Sequence, residues 1–253
     1  MDLYSIFLWM MIAVAIIVFV VLYFVDAGYG MFTSKKWGFS INNKLGWVLM
    51  EAPVAILLFL FWVFSDRKTM LVPFIFLLFM EIHYVQRAFI FPFLLKGKNK
   101  MPLSIMFMAF FFNIINAFIQ GYWLFYHSPQ DMYSNAWLQT PQFIIGSCLF
   151  FLGFIINIDS DRRIRSLRKP GDTKHYLPYG GLFKYVTSAN YFGELIEWTG
   201  FAIATWSMPG LVFAIWTFAN LVPRANAIYK KYSREFGDEI RDKKLKRIIP
   251  FVY

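Results

Sequence analysis

Seven long apolar stretches, separated by short polar segments, constrain this chain more than any other feature. They cover approximately residues 4–25, 45–65, 70–93, 102–126, 141–158, 189–207 and 209–229. At about 1.5 Å per helical residue, most are long enough to cross roughly 30 Å of hydrocarbon. Only 16% of the residues are charged and 58% are hydrophobic, whereas a soluble domain carries about a quarter charged residues. The sequence therefore predicts an all-α integral membrane protein with seven transmembrane helices. The first stretch has no basic segment before it and no small-residue cleavage site after it, so a retained span is expected. The last two are joined only through Met208-Pro209-Gly210, and a re-entrant pair is the alternative there.

Seven spans put the chain ends on opposite sides, and the basic residues then separate. Of the 25 Lys and Arg, 22 fall on one side: Lys35, Lys36, Lys44, Lys96, Lys98, Lys100, those between Arg162 and Lys184, and those from Arg224 to Arg247. The other side holds Arg67 and Lys68, with Arg87 near a span end. Six or eight spans would destroy this separation. The positive-inside rule places the N-terminus outside and the C-terminus in the cytoplasm. The net charge of +10 thus reads as topology, and no nucleic-acid partner is expected. No repeat or linker divides the chain, so residues 1–253 are read as one domain. The polar stretch Asp159 to Tyr179, rich in Pro and Gly, predicts an ordered loop with short helical pieces. Cys148 reads as packing. No Cys/His metal spacing, Walker loop, nucleophile elbow or Rossmann glycine set is present, and no metal is expected.

Against this apolar background, Glu51, Glu81, Glu194 and Glu197 stand inside the spans. Insertion scales put a carboxylate at a helix centre at roughly +2.5 to +3.5 kcal/mol. Asn190, Glu194 and Glu197 fall at i, i+4 and i+7, one helix face, which should point into the bundle. Asn157 and Asp161 share a face, and Arg162, Arg163, Arg165, Arg168 and Lys169 follow them. Arginines with Asn and Asp suit a phosphate- and ribose-bearing nucleotide; a basic loop against anionic lipid would carry the same charge. Arg224, with Tyr229 and Tyr232 beyond it, is either part of that set or a snorkelling anchor. Glu51 in its neutral form and the Tyr84 hydroxyl are donors suited to a ketone oxygen. Tyr84 is an i, i+3 neighbour of both Glu81 and Arg87. His83 reads as a packed side chain first and as an orienting neighbour of that donor pair second, and Glu81 is expected to pair with Arg87.

Together these segments resemble the steroid 5α-reductase family (3-oxo-5α-steroid 4-dehydrogenases). The resemblance is strongest from about Gly153 to Tyr253. It rests on Ile156-Asn157-Ile158-Asp159-Ser160-Asp161, Leu167-Arg168-Lys169-Pro170-Gly171, Pro178-Tyr179-Gly180-Gly181-Leu182-Phe183, Ser188 to Trp198, and Ile249-Pro250-Phe251. A weaker likeness runs through Glu51, His83-Tyr84 and Gln120-Gly121-Tyr122. It implies a seven-span enzyme that uses NADPH to reduce the C4–C5 double bond of a 3-oxo-Δ4 steroid. By motif, Asn157, Asp161, Arg168, Asn190, Arg224 and Tyr232 would belong to the cofactor site. Glu194 would lie near its nicotinamide end with Glu197 in support, and Glu51 and Tyr84 would hold the C3 carbonyl. The substrate side would be mainly residues 1–126 and the NADPH-binding part mainly 153–253. A monomer is expected, in contact with membrane lipid and a steroid or steroid-like lipid. Its membrane would be the inner membrane of a bacterium or the endoplasmic reticulum of a eukaryote. Met106-Phe107-Met108-Ala109 lacks a basic residue that steroid-reducing members place there, and Lys96-Gly97-Lys98-Asn99-Lys100 also diverges. Both features bear on the substrate more than on the reaction. The alternatives are a methyltransferase of the isoprenylcysteine type, using S-adenosylmethionine, and a reductase of polyprenols or enoyl thioesters.

Overall fold

A computed structural model describes residues 2–172 and 174–253. Its long helices are α1 (Leu3–Val21), α2 (Asn43–Val63), α3 (Leu71–Leu94), α4 (Leu103–His127), α5 (Pro141–Ser166), α6 (Ala189–Thr205) and α7 (Met208–Glu235), followed by the short α8 (Gly237–Asp242). Six of them, all but α6 and α8, are long and apolar enough to cross a membrane. The protein is thus a multi-pass helical membrane protein. The shortfall at α6 is physical: it has 17 residues and carries Glu194 and Glu197.

Local chemistry sets the helix ends. The Asp2, Asn42, Thr140 and Ser207 side chains accept N–H groups at the starts of α1, α2, α5 and α7, satisfying donors that the helix itself leaves unpaired. Trp206, at φ +46°, ends α6 and turns the chain into α7. Two expectations need correction. Helix α5 runs to Ser166, eight residues past the predicted span end, because Asp159 accepts from both Arg162 and Arg163 at 2.6 Å. No helix breaker occurs before Pro170. The polar stretch is therefore helix up to Ser166 and loop beyond it, and Thr173 in that loop lies outside the described residues. A two-stranded antiparallel ribbon, β1 (Ser40–Asn42) on β2 (Lys100–Pro102), was not anticipated.

Helices α5 and α6 approach closely, and glycines permit it. A Cβ on Gly153 would lie 2.3 Å from the Glu197 nitrogen, and one on Gly146 2.3 Å from that of Ala204. From α6, a Cβ on Gly193 would meet the Asn157 nitrogen at 2.6 Å, and one on Gly200 that of Phe150 at 2.4 Å. Both pairs are spaced i, i+7, so the two backbones touch over two turns in antiparallel order. Small residues at such a seam replace the hydrophobic drive that lipid removes.

The basic loops gather at one end of the bundle, called here the basic end. The half remote from it is packed apolar, with Leu58, Phe76, Phe150 and Phe201 fully buried and Phe79 stacked on Phe150 at 4.6 Å. The polar side chains collect between this plug and the basic end.

Candidate active site

Two linked regions hold the polar residues. The deeper one centres on Arg87, which is 8% exposed. It follows Gln86 in a π-helical turn of α3 (Gln86–Ile90), a local widening often found at functional sites. Its guanidinium donates to Asp161 Oδ2 at 2.8 Å and lies 3.4 Å from Glu194 Oε1. Trp47 and Phe91 flank it, with ring centroids at 4.8 and 4.6 Å. Asn157 Nδ2 donates to Glu194 Oε1 at 3.0 Å, and Asn190 Nδ2 donates to Asp161 Oδ1 at 3.2 Å. Asn157, Asp161, Asn190 and Glu194 thus form one network, and removing a partner from so buried an ion pair costs roughly 3–5 kcal/mol.

Arg87 does not pair with Glu81. A separation of six residues puts them on different faces of α3, and Asp161 and Glu194 reach the guanidinium from the interior. Glu81 Oε1 is buried without a hydrogen-bond partner among the described residues. His83 is more than packed: its Nδ1 lies 2.7 Å from Glu197 Oε1. Glu197 is fully buried, and among the described residues its side chain bonds to His83 alone; His83 stands edge-on to Trp198 at 4.6 Å and next to Tyr84.

Helix α4 completes this region with Asn113, Asn116 and Gln120, at i, i+3 and i+7; the first two belong to no motif of the sequence, and Gln120 opens the Gln120-Gly121-Tyr122 segment. Asn113 Nδ2 donates to Glu51 Oε2 at 3.1 Å and to the Met50 carbonyl at 2.6 Å. Asn116 Nδ2 donates to the Tyr84 hydroxyl oxygen at 3.2 Å. Gln120 Nε2 reaches Asn116 Oδ1 at 3.3 Å and the Pro209 carbonyl at 2.8 Å. With its oxygen already accepting, the Tyr84 hydroxyl keeps its hydrogen to donate. With Oε2 taken, Glu51 keeps Oε1. Three amide side chains in an apolar span at helical spacing were a legible signal.

The second region is a cleft of about 190 Å³ at the basic end, whose walls include Arg168, Asn190, Arg224 and Tyr232. A smaller cavity of about 50 Å³ adjoins it, sharing Ile164 and Arg168 and bordered by Asp161, Arg165 and Lys96. Arg224 donates to the hydroxyl of Tyr191 at 2.9 Å and to the carbonyls of Ala27 and Tyr29 at 3.1 and 3.0 Å. Its guanidinium covers the Tyr29 ring. Tyr232 donates to the Tyr176 carbonyl at 3.2 Å. Helix α7 therefore fixes two loops that wall the cleft. In those loops, burial pushes the Tyr29 phenol up to about 12. Burial, then the charges of Arg168 and Lys231, push the His175 imidazole down to about 4. The C-terminal segment ties down the start of α6, since the Thr187 and Ser188 N–H groups donate to the carbonyls of Lys246 and Arg247. The Ser188 hydroxyl, in the cleft wall, and Arg165 Nη1, in the adjoining cavity's arginine, are buried without partners among the described residues.

These features define a membrane-embedded protein whose buried polar network leads from a basic cleft toward a Glu and a Tyr held by asparagines. The 3-oxo-5-alpha-steroid 4-dehydrogenase family model matches residues 99–253. A 3-oxo-5-alpha-steroid 4-dehydrogenase 1 from Bos taurus is 37% identical over 244 residues, covering 95% of this chain and 93% of the relative. The Homo sapiens protein of that name is 39% identical, covering 89% and 86%. Steroid 5-alpha-reductase DET2 from Arabidopsis thaliana is 39% identical, covering 92% and 90%. The chain belongs to the 3-oxo-5-alpha-steroid 4-dehydrogenase family, and it is an oxidoreductase.

Proposed function

We propose that this protein reduces the C4–C5 double bond of a 3-oxo-Δ4 steroid, using NADPH, within a seven-span membrane domain whose C-terminus is cytoplasmic. The observation that carries this reading is the pair Glu51 and Tyr84. Each is held by its own asparagine on α4 and each keeps one hydrogen-bonding position free.

The cleft residues fit an anionic dinucleotide. Arg168 and Arg224 supply positive charge, with Arg165 beside them in the adjoining cavity, and the orphaned Ser188 hydroxyl and Arg165 Nη1 are donors awaiting acceptors. The start of α6 at the cleft adds unpaired backbone N–H groups and the positive end of a helix dipole. Arg168, Arg224, Asn190 and Tyr232 would hold the cofactor in the cleft. Asn157, Asp161 and Glu194 would form its deeper wall, kept in place by Arg87. NADPH, when bound, supplies the hydride.

The chain's own residues then account for the rest. Hydride addition at C5 moves negative charge onto the C3 oxygen, and the resulting enolate is completed by a solvent-derived proton at C4; donors placed at that oxygen bind the transition state more tightly than the ground state. Tyr84 donates its free hydroxyl hydrogen, and neutral Glu51 donates from Oε1. Gln120 and Asn116 keep the phenol oriented, so little reorganisation is needed during the reaction. The aromatic plug beyond the site excludes water and strengthens these bonds. The basic end faces the cytoplasm in this reading, which gives the cofactor access from that side. The membrane is the endoplasmic reticulum in a eukaryote or the inner membrane in a bacterium, and the working unit is a monomer.

The test is incubation of the reconstituted protein with NADPH and a 3-oxo-Δ4 steroid, with the product identified by mass spectrometry. A 5α-reduced 3-oxosteroid is expected. Binding of S-adenosylmethionine without binding of NADPH would establish the methyltransferase alternative instead.

A further inference from the structure

Asn220 occupies an unusual place on α7. At roughly 100° per residue, it stands about 180° from Leu211 and about 200° from Phe218, which are 47% and 45% exposed and mark the outward stripe of the helix. It is therefore at the centre of the inward face. Its neighbours there, Phe213, Trp216, Thr217, Pro223 and Arg224, are all buried, yet Asn220 itself is partly exposed. A side chain that is open on the innermost face of a packed helix borders an interior space.

Helix contacts fix the depth of that space. Arg224 of α7 meets Tyr191 of α6, and Phe213 meets Trp198 at 4.5 Å. Running antiparallel between these two contacts, the helices bring Asn220 level with Glu194. That is one turn deeper than the cleft arginine. On the other side, Trp216 meets Phe112 of α4 at 4.9 Å, which puts Asn113, and the Glu51 that it holds, one turn deeper still. In depth along the bundle, Asn220 thus lies between the level of Arg224 and that of the Glu51 carboxyl.

Its bonding leaves a defined remainder. Nδ2 donates to the Trp216 carbonyl at 3.0 Å, which leaves one N–H and the Oδ1 acceptor. A primary carboxamide presents the same two groups in complementary order. We infer that Asn220 pairs with the carboxamide of the cofactor's nicotinamide ring and thereby sets which face of the ring is turned toward the substrate. This inference rests on the NADPH reading above.

The test is a binding cycle in the full-length reconstituted protein, read by quenching of tryptophan fluorescence. It compares NADPH with its 3-acetylpyridine analogue, which keeps the carbonyl and lacks the amide N–H. Wild type should bind NADPH roughly tenfold more tightly than the analogue, about the size of one net hydrogen bond. Asn220→Leu should bind both alike, and more weakly than wild type binds the analogue, because it also loses the bond to the ligand carbonyl. Asn220→Ala serves the same comparison if the leucine variant fails to fold. A variant that keeps the wild-type preference for NADPH overturns the inference, as does one that changes only the steroid KM. Failure of wild type to bind either cofactor would instead remove the NADPH reading, and this inference with it.

Discussion

At the scale of single residues, the site depends on who holds whom. Glu51 and Tyr84 are each oriented by an amide from α4. Glu51→Gln or Tyr84→Phe should lower turnover more than tenfold while NADPH affinity changes little; wild-type turnover from both would remove them from the mechanism. His175 makes a different prediction. Its folded pKa, about 4, lies below the ordinary value near 6.5. The unfolded chain therefore binds the extra proton first, and stability is lost as pH falls from about 6.5 toward 4. Comparing thermal midpoints across that range, His175→Gln should flatten the part of the loss that belongs to this residue; an unchanged curve would contradict it. The individual polar residues were legible because each stands out in an apolar run. Their partners were less so. Proximity along the chain suggests Glu81 as the partner of Arg87, whereas the fold supplies Asp161 and Glu194 from two other helices. The Glu197–His83 contact joins residues 114 positions apart, and nothing in either segment announces it.

At the scale of elements, α5 and α6 form the rigid part of the site, because Gly146, Gly153, Gly193 and Gly200 let their backbones touch. That contact brings Asn157 against the Asn190 carbonyl at 3.1 Å and against Glu194. Gly153→Leu would force the helices apart at Glu197. It should cost at least the 1–3 kcal/mol typical of overpacking, visible as a lower thermal midpoint together with weaker NADPH binding. A variant with wild-type values for both would show that the seam is not needed. The i, i+7 glycines were readable in the sequence, but only the structure shows that the two pairs face each other. The helical extension of α5 and the small β ribbon were missed for a related reason. Three-residue strands carry almost no pattern, and Asp159 with its two arginines reads equally well as a polar loop.

At the scale of the whole molecule, the chain builds a gradient from an apolar, aromatic plug to a basic cleft, with the polar network between them. The broad outline was legible: apolar runs separated by basic loops give the multi-pass helical bundle. The short α6 has fewer residues than any of the six long helices, and Glu194 and Glu197 lie within its 17 residues. Its place in the bundle comes from packing against α5 and α7. In the function proposed above, the NADPH cleft and the Glu51–Tyr84 ketone site are two ends of one interior space. The most direct measurement is turnover of a 3-oxo-Δ4 steroid by the reconstituted protein with NADPH deuterated at its transferable position, followed by location of the label. One deuterium at C5, on the α face, is expected per NADPH oxidised. Deuterium elsewhere in the steroid, or no steroid reduction while NADPH is bound, would contradict it.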